Sequence, residues 1–219
     1  MKTMRISWAN QMANLCQVLG LDWPTVKRGM GLDPRIGQFY FRAGLGYGGP
    51  CLEKDLAALM AIGEQAKVPL TISQAAQNVN RSQRFWPLQQ LQHLYGSGNP
   101  LKLMIWGLAY VANGCDLRQS PALETIQILL DAGYERPFFY DPYVSFAAFK
   151  AVIPLAEQNQ WLDDEQALWH HLPEVDAVLI LTGHTIFQSF DLERLDRLMA
   201  GRWVIDACGL WEKEEVSIY

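Results

Sequence analysis

Cys51 stands near the end of the run GLGYGGPCLEKD, residues 44–55, with Lys54 three positions and Asp55 four positions downstream. Helical apolar spacing resumes close behind it and predicts a helix from about Glu53 to Lys67. The thiol therefore falls where unpaired backbone N–H groups and the positive end of the helix dipole favour negative charge. A nucleophile gains from that placement. Lys54 adds a cation, and Asp55 lies about one helical turn on, where a carboxylate can take a proton or orient a water. These three residues suit the formation and hydrolysis of a thioester. An inert buried cysteine satisfies the same spacing, since free cysteine is among the most buried residue types, and residue types alone do not choose between the two.

The glycines Gly44, Gly46 and Gly49 superficially match a G-x-G-x-x-G dinucleotide fingerprint, with Gly48 beside them. That motif needs a strand leading into it, and none is expected here. The glycines fit a main chain passing close to a sugar or phosphate, or an ordinary surface loop. Asp116 and Arg118 precede Ser120-Pro121, between a predicted strand and a helix whose N-terminus could receive an anion; the residues alone favour a solvated loop. His170 and His171 lie in a polar stretch, His184 follows a strand end alone, and none is assigned a metal.

The elements that must position these groups fall into two halves. In residues 1–95 the pattern is helical apart from the glycine loop. Arg5 to Leu19 has amphipathic spacing stopped by Gly20, and Asp22 with Pro24 starts a short helix reaching about Gly29. Residues 33–50, rich in glycine with prolines at both ends, form a loop, and Ile72 to Tyr95 reads as one long helix that Pro87 kinks. The turn-forming run GSGNP at 96–100 marks a boundary. Beyond it, Leu101–Trp106, Pro137–Tyr140, Ala177–Leu181 and Trp203–Ile205 read as strands. Helices are expected at Ser120–Ala132, Phe146–Ile153 and Leu192–Met199. Such alternation predicts an α/β fold with a parallel sheet.

Composition excludes several classes. Half of the 219 residues are hydrophobic and 19% are charged, as in a globular protein. No apolar run approaches the roughly 18 residues of a membrane span. The N-terminus carries no apolar stretch of signal-peptide type, so a cytoplasmic setting is expected. A net charge of −5 without a basic stripe argues against nucleic acid. Cys16, Cys51, Cys115 and Cys208 lack C-x-x-C spacing and read as separate thiols.

Taken in order, ISWANQMANLCQVLGLD, DPRIG, GLGYGGPCLEKDLAAL and VNRSQ resemble the central region of the UDP-glucose/GDP-mannose dehydrogenase family. GLAYVANGCDLRQSPA, YDP and DAVLILTGHTIF then resemble that family's C-terminal nucleotide-sugar-binding domain. The resemblance implies a helical dimerisation region with a catalytic-cysteine loop over 1–95, followed by a Rossmann-like UDP-sugar-binding domain over 96–219. It implies oxidation of a sugar C6 alcohol to a carboxylate through a thioester on Cys51, with Asp55 assisting water or proton transfers. Lys54 is implied to lie near cofactor or substrate phosphates, and Arg118 near the cofactor and a subunit contact. Arg35 would reach the partner subunit's substrate, while Tyr40, Arg42, Tyr47, Gly48 and Tyr110 would line the sugar nucleotide.

Family members use NAD, bound by an N-terminal domain carrying G-x-G-x-x-G; the resemblance here begins partway along the central helix, after the family's catalytic Lys and Asn. Gln11, Val111 and Cys208 stand where the family has Glu, Lys and Arg. Two functions follow as expectations. One is the C-terminal part of a nucleotide-sugar 6-dehydrogenase of the UDP-glucose to UDP-glucuronate type, completed by an NAD domain on a separate polypeptide or upstream. The other is a non-catalytic dimerisation and UDP-sugar-binding module. Both imply a homodimer through the central helices, and the GYGG form of the loop leans toward UDP-glucose.

Overall fold

The computed structural model describes residues 1–98, 101–199 and 203–211. The chain divides into two compact units, Met1–Gln83 and Arg84–Tyr219.

The first unit is helical. Helix α1 (Lys2–Val18) ends where Gly20 turns to positive φ, and α2 (Trp23–Gly31) is capped by the Asp22 carboxylate, which accepts from the Thr25 amide at 2.8 Å. After the glycine loop come α3 (Leu52–Gln65) and α4 (Thr71–Ser82). Helices α1 and α4 meet through small residues: Ser7, Ala9, Ser73 and Ala76 are all buried, and Ser7 Oγ donates to the Ala76 carbonyl at 2.6 Å. Small side chains let the two backbones approach, and large apolar ones remain outside. Leu15, Val18, Leu19, Leu59, Ile62 and Ile72 are exposed.

Pro87 does more than bend a long helix. Helix α4 stops at Ser82, a 3-10 turn spans Gln83–Phe85, and α5 (Trp86–Tyr95) begins afresh with Pro87 in its first turn. Proline lacks the N–H that would bond back one turn and its ring crowds the carbonyl there, so the interrupted backbone tightens and restarts. The boundary between the compact units falls at this restart.

In the second unit, β1 (Leu103–Trp106), β2 (Phe138–Tyr140), β3 (Ala177–Ile180) and β4 (Trp203–Asp206) form one parallel sheet in the order β2-β1-β3-β4. The register pairs Leu103 with Ala177, Met104 with Phe138 and Ala177 with Trp203. The central strands β1 and β3 are buried along their whole length, which is why LMIW and AVLI read as unbroken apolar runs. Helices α6 (Pro121–Asp131), α7 (Phe146–Val152), α8 (Glu165–His171) and α9 (Leu192–Met199) complete the unit. The fold is α/β, as the alternating pattern predicts. On one side of the sheet, Trp106 packs edge-on against Phe190 and Trp211 at ring separations of 5.4 and 6.4 Å. No helix among the described residues is long and apolar enough to cross a membrane.

Candidate active site

In the first unit, Cys51 is the N-cap residue of α3 and is exposed. Its carbonyl accepts the Asp55 amide at 2.9 Å, so Cys51 and Asp55 lie one turn apart, and Lys54 and Asp55 are exposed with it. Thiol, cation and carboxylate thus share the open first turn of a helix, whose N-terminal amides favour negative charge.

Two buried asparagines hold the loop that delivers this turn. Asn80 of α4, 1% exposed, takes the Tyr47 amide on Oδ1 at 2.7 Å and returns Nδ2 to the Tyr47 carbonyl at 3.0 Å. Its Nδ2 also reaches Glu53 Oε1 at 3.4 Å, tying the first turn of α3 to the same clamp. Asn10 of α1, fully buried, accepts the Gly44 amide at 2.7 Å. A side-chain amide offers donor and acceptor side by side, so one asparagine reads a loop backbone as a paired strand would. Gly49, at φ +79, makes the left-handed turn just before Pro50 and Cys51. These contacts also decide the meaning of the glycines. The amides of Gly44 and Tyr47 are spent on protein side chains, and no strand precedes them, so the residues present do not build a dinucleotide-phosphate cradle.

The other residues singled out in this unit lie nearby in the chain. Tyr47 is buried, Gly48 half-buried and Arg42 exposed. Tyr40 holds a left-handed backbone at φ +65, and the Lys2 ammonium sits 5.1 Å from its ring centroid. Hydrogen bonding to Tyr40 raises the Lys2 pKa. Arg35 lies in the turn after α2, where Asp33 receives its amide at 2.9 Å and its Nη2 at 2.6 Å.

Arg118, in the second unit, repeats that arrangement. Asp116 takes its amide at 2.9 Å and its Nη2 at 2.6 Å. In both Asp-x-Arg units the guanidinium bonds hold the carboxyl below its ordinary range. Tyr110 is half-buried and lies on the same connection between β1 and α6, its amide bonded to the Asp116 carbonyl at 3.0 Å.

This β1–α6 loop is anchored at the C-terminal ends of the strands. Asp141, just past β2, is buried and accepts the Leu108 amide at 2.7 Å, and Thr182, past β3, donates to the Ala109 carbonyl at 2.6 Å. Gly107 has φ +79, and a Cβ there would lie 2.3 Å from the Thr182 carbonyl oxygen, so no side chain fits. His184 is not alone, as its place in the sequence suggests. It is fully buried, with Nε2 3.1 Å from Asp141 Oδ2 and Nδ1 accepting the Asn113 amide at 2.8 Å. His171 Nδ1 is 2.7 Å from Glu174 Oε1. Val111 is exposed, and Cys208 Sγ donates to Asp206 at 3.1 Å. Among the described residues, no three His, Cys, Asp or Glu side chains group as a metal site.

Loops after β1 and β3 leave toward opposite neighbours in the order β2-β1-β3-β4, which makes this edge a topological switch point. Ligands of open α/β sheets bind in the crevice at such a point. Residues 1–82 match the model of the UDP-glucose/GDP-mannose dehydrogenase family, central domain, and residues 104–213 match that family's UDP binding domain.

The UDP-glucose 6-dehydrogenase TuaD of Bacillus subtilis is 34% identical over 97% of this chain and 45% of its own length. The UDP-glucose 6-dehydrogenase of Rhizobium meliloti is 32% identical over 98% and 47%. The chain thus spans about half the length of the curated relatives it matches. A UDP-glucose dehydrogenase from the archaeon Pyrobaculum islandicum has the same fold, with a TM-score of 0.83 and 30% identity, covering all of this chain and 47% of that one. With both domain models matched in order and the parallel sheet in place, the chain belongs to the UDP-glucose/GDP-mannose dehydrogenase family.

Proposed function

We propose that this chain provides the cysteine-bearing part and the nucleotide-sugar-binding part of an NAD-dependent nucleotide-sugar 6-dehydrogenase acting on a UDP-sugar of the glucose type. The observation that carries this reading is an exposed Cys51 at the N-cap of α3, on a loop clamped by Asn80, in a chain of this family.

In this reading the C6 alcohol loses one hydride to become the aldehyde, the Cys51 thiol adds to that aldehyde to form the C–S bond of a thiohemiacetal, and loss of a second hydride from C6 gives the thioester; NAD, when bound, would accept both hydrides. The Cys51 sulfur later leaves as thiolate when water hydrolyses the thioester. Asp55, one turn along the same helix, takes the proton of that water, and Lys54 meets phosphate charge. Tyr40, Arg42, Tyr47, Gly48 and Tyr110 are assigned to the lining of the sugar nucleotide. Arg35 reaches the substrate of the partner subunit, and Arg118 lies near the cofactor and the subunit contact. The residues described here do not build a dinucleotide cradle, so both hydride acceptors are assigned to an NAD-binding domain, on this polypeptide or a separate one.

The exposed apolar residues of α1, α3 and α4 support a homodimer through the central helices, because a helix face of that character needs cover. The setting we assign is cytoplasmic. A second reading, a UDP-sugar-binding module without catalysis, is favoured by exposed, uncharged Val111 and by Cys208 turned onto Asp206, where the family's Lys and Arg would each offer a charge-assisted hydrogen bond.

Calorimetric titration with UDP-glucose, UDP-glucuronate and GDP-mannose, beside alkylation mapped by peptide mass, tests both. The dehydrogenase reading expects UDP-sugar binding and Cys51 labelling that UDP-glucose slows. Binding that leaves Cys51 labelling unchanged favours the module, and failure to bind any of the three refutes both.

A further inference from the structure

We propose that His184 is the positioning residue of the β1–α6 loop, fastening the segment that carries Tyr110 and Val111 through one ring tautomer; its bearing on ligand affinity rests on the reading that this loop faces the nucleotide sugar. Neutral imidazole has one N–H donor and one bare acceptor nitrogen. The backbone amide of Asn113 can only donate, and it points at Nδ1 from 2.8 Å, so Nδ1 carries no hydrogen. The ring proton therefore sits on Nε2, where it meets Asp141 Oδ2 at 3.1 Å.

Asp141 imposes this choice. Its two oxygens already receive the amides of Leu108, Tyr143 and Val144 at 2.7, 2.9 and 3.1 Å, and a carboxylate in that position has only acceptors to offer a histidine. The rings of Tyr143 and Phe187, with centroids 5.0 and 5.4 Å away, close over the imidazole, which is fully buried.

On the loop side, Asn113 sits in the left-handed region at φ +60, which asparagine adopts more readily than most residues other than glycine. Besides its amide bond to His184, its Oδ1 accepts Thr185 N at 2.9 Å and Thr185 Oγ1 at 3.1 Å. The tip of the loop is thus held by two consecutive residues of the segment that follows β3, at the switch point of the sheet. The chain of constraint runs from Asp141 through the His184 proton and Nδ1 to the Asn113 backbone, and from there to the neighbouring Tyr110 and Val111.

Two conservative variants separate this role from simple filling of a buried space. His184→Asn keeps an acceptor near the Nδ1 position and gives up the reach to Asp141, whereas His184→Gln keeps a donor toward Asp141 and gives up the Nδ1 acceptor. Hydrogen exchange of the ligand-free chain is read by mass spectrometry over residues 108–118, beside calorimetry with UDP-glucose. The expectation is that His184→Gln speeds exchange at the loop tip about tenfold, the size of one lost hydrogen bond, and weakens UDP-glucose to match, while His184→Asn stays within about threefold on both.

The reverse order, with Gln tolerated and Asn not, or equal loss in both, overturns the proposal. Should both variants fail to fold, nitrogen NMR of the wild-type imidazole decides: a hydrogen on Nε2 supports the latch and a hydrogen on Nδ1 overturns it. If the wild type binds no UDP-glucose while exchange follows the expected order, the latch stands and the assigned ligand falls.

Discussion

Replacing Asn80 with alanine tests whether the cysteine loop is built by the helix beneath it. The side chain is 1% exposed and gives the Tyr47 backbone two bonds of 2.7 and 3.0 Å, with a third, longer one to Glu53. A buried hydrogen bond contributes about 1 kcal/mol net, and somewhat more where the partner cannot reach water, so losing the pair costs about 2–3 kcal/mol of local stability. Converted at about 1.4 kcal/mol per factor of ten, exchange of the amides between Gly44 and Cys51 should accelerate by roughly 30- to 150-fold. The assay is hydrogen exchange resolved to peptides spanning residues 44–52, with the sheet of the second unit as internal control. Asn80→Asp gives a sharper comparison. It keeps the acceptor for the Tyr47 amide but turns a carboxylate oxygen toward the Tyr47 carbonyl, so it should protect no better than alanine. Exchange in the loop that stays within about threefold of wild type in Asn80→Ala would refute the reasoning, because a clamp worth one kcal/mol or more cannot vanish silently.

Gly107→Ala should destabilise the second unit by about 3 kcal/mol or more, since the new methyl group meets the Thr182 carbonyl at 2.3 Å with φ at +79, and thermal unfolding will show it. Burial pushes the Asp141 carboxyl up, but hydrogen bonds from His184 and the Leu108 and Tyr143 amides outweigh it and leave the value below the ordinary range. Its contribution to stability is therefore complete above the unfolded carboxyl value of about 4 and lost as pH falls through the lower folded value; urea unfolding of wild type against Asp141→Asn between pH 7 and about 3 should show the variant missing that loss. At neutral pH the same variant, whose amide cannot accept all the bonds the carboxylate takes, should cost about 3 kcal/mol. Light scattering at micromolar concentration should give the mass of a dimer, and a monomeric mass would count against the exposed faces of α1, α3 and α4 as an interface.

Much of the fold is legible in the sequence because it rests on local rules. Asp22 caps α2 and Ser120 caps α6 as their types and positions require, and the apolar runs of β1 and β3 announce strands buried on both sides. Helix α8 escapes such reading although it is no shorter than α7, because EQALWHH carries few apolar positions and lies in a polar stretch, whereas FAAFKAV of α7 is largely apolar. Pro87 could be recognised as a disturbance, whereas the division of the chain at the 3-10 turn before it depends on what each helix packs against. The exposed thiol was visible as a candidate because Cys-x-x-Lys-Asp follows a glycine loop at the head of a helix. The groups that hold the candidate site were not. Asn10, Asn80, Asp141 and His184 act on backbone 33 to 71 residues away, and no spacing rule spans such a distance.

The two Asp-x-Arg units give the surface an uncommon kind of charge. Each guanidinium is already neutralised by a carboxylate two residues behind it, at 2.6 Å in both cases. An incoming phosphate that recruited Arg35 or Arg118 would perform a partner exchange, one anion for another, and few small counterions would be set free. The usual entropic reward for an arginine meeting a phosphate in dilute salt would be largely absent. A phosphate held through either residue would lose little affinity as ionic strength rose. Selectivity would then come from the fixed fork of each guanidinium and the shape it accepts, with long-range attraction playing a small part.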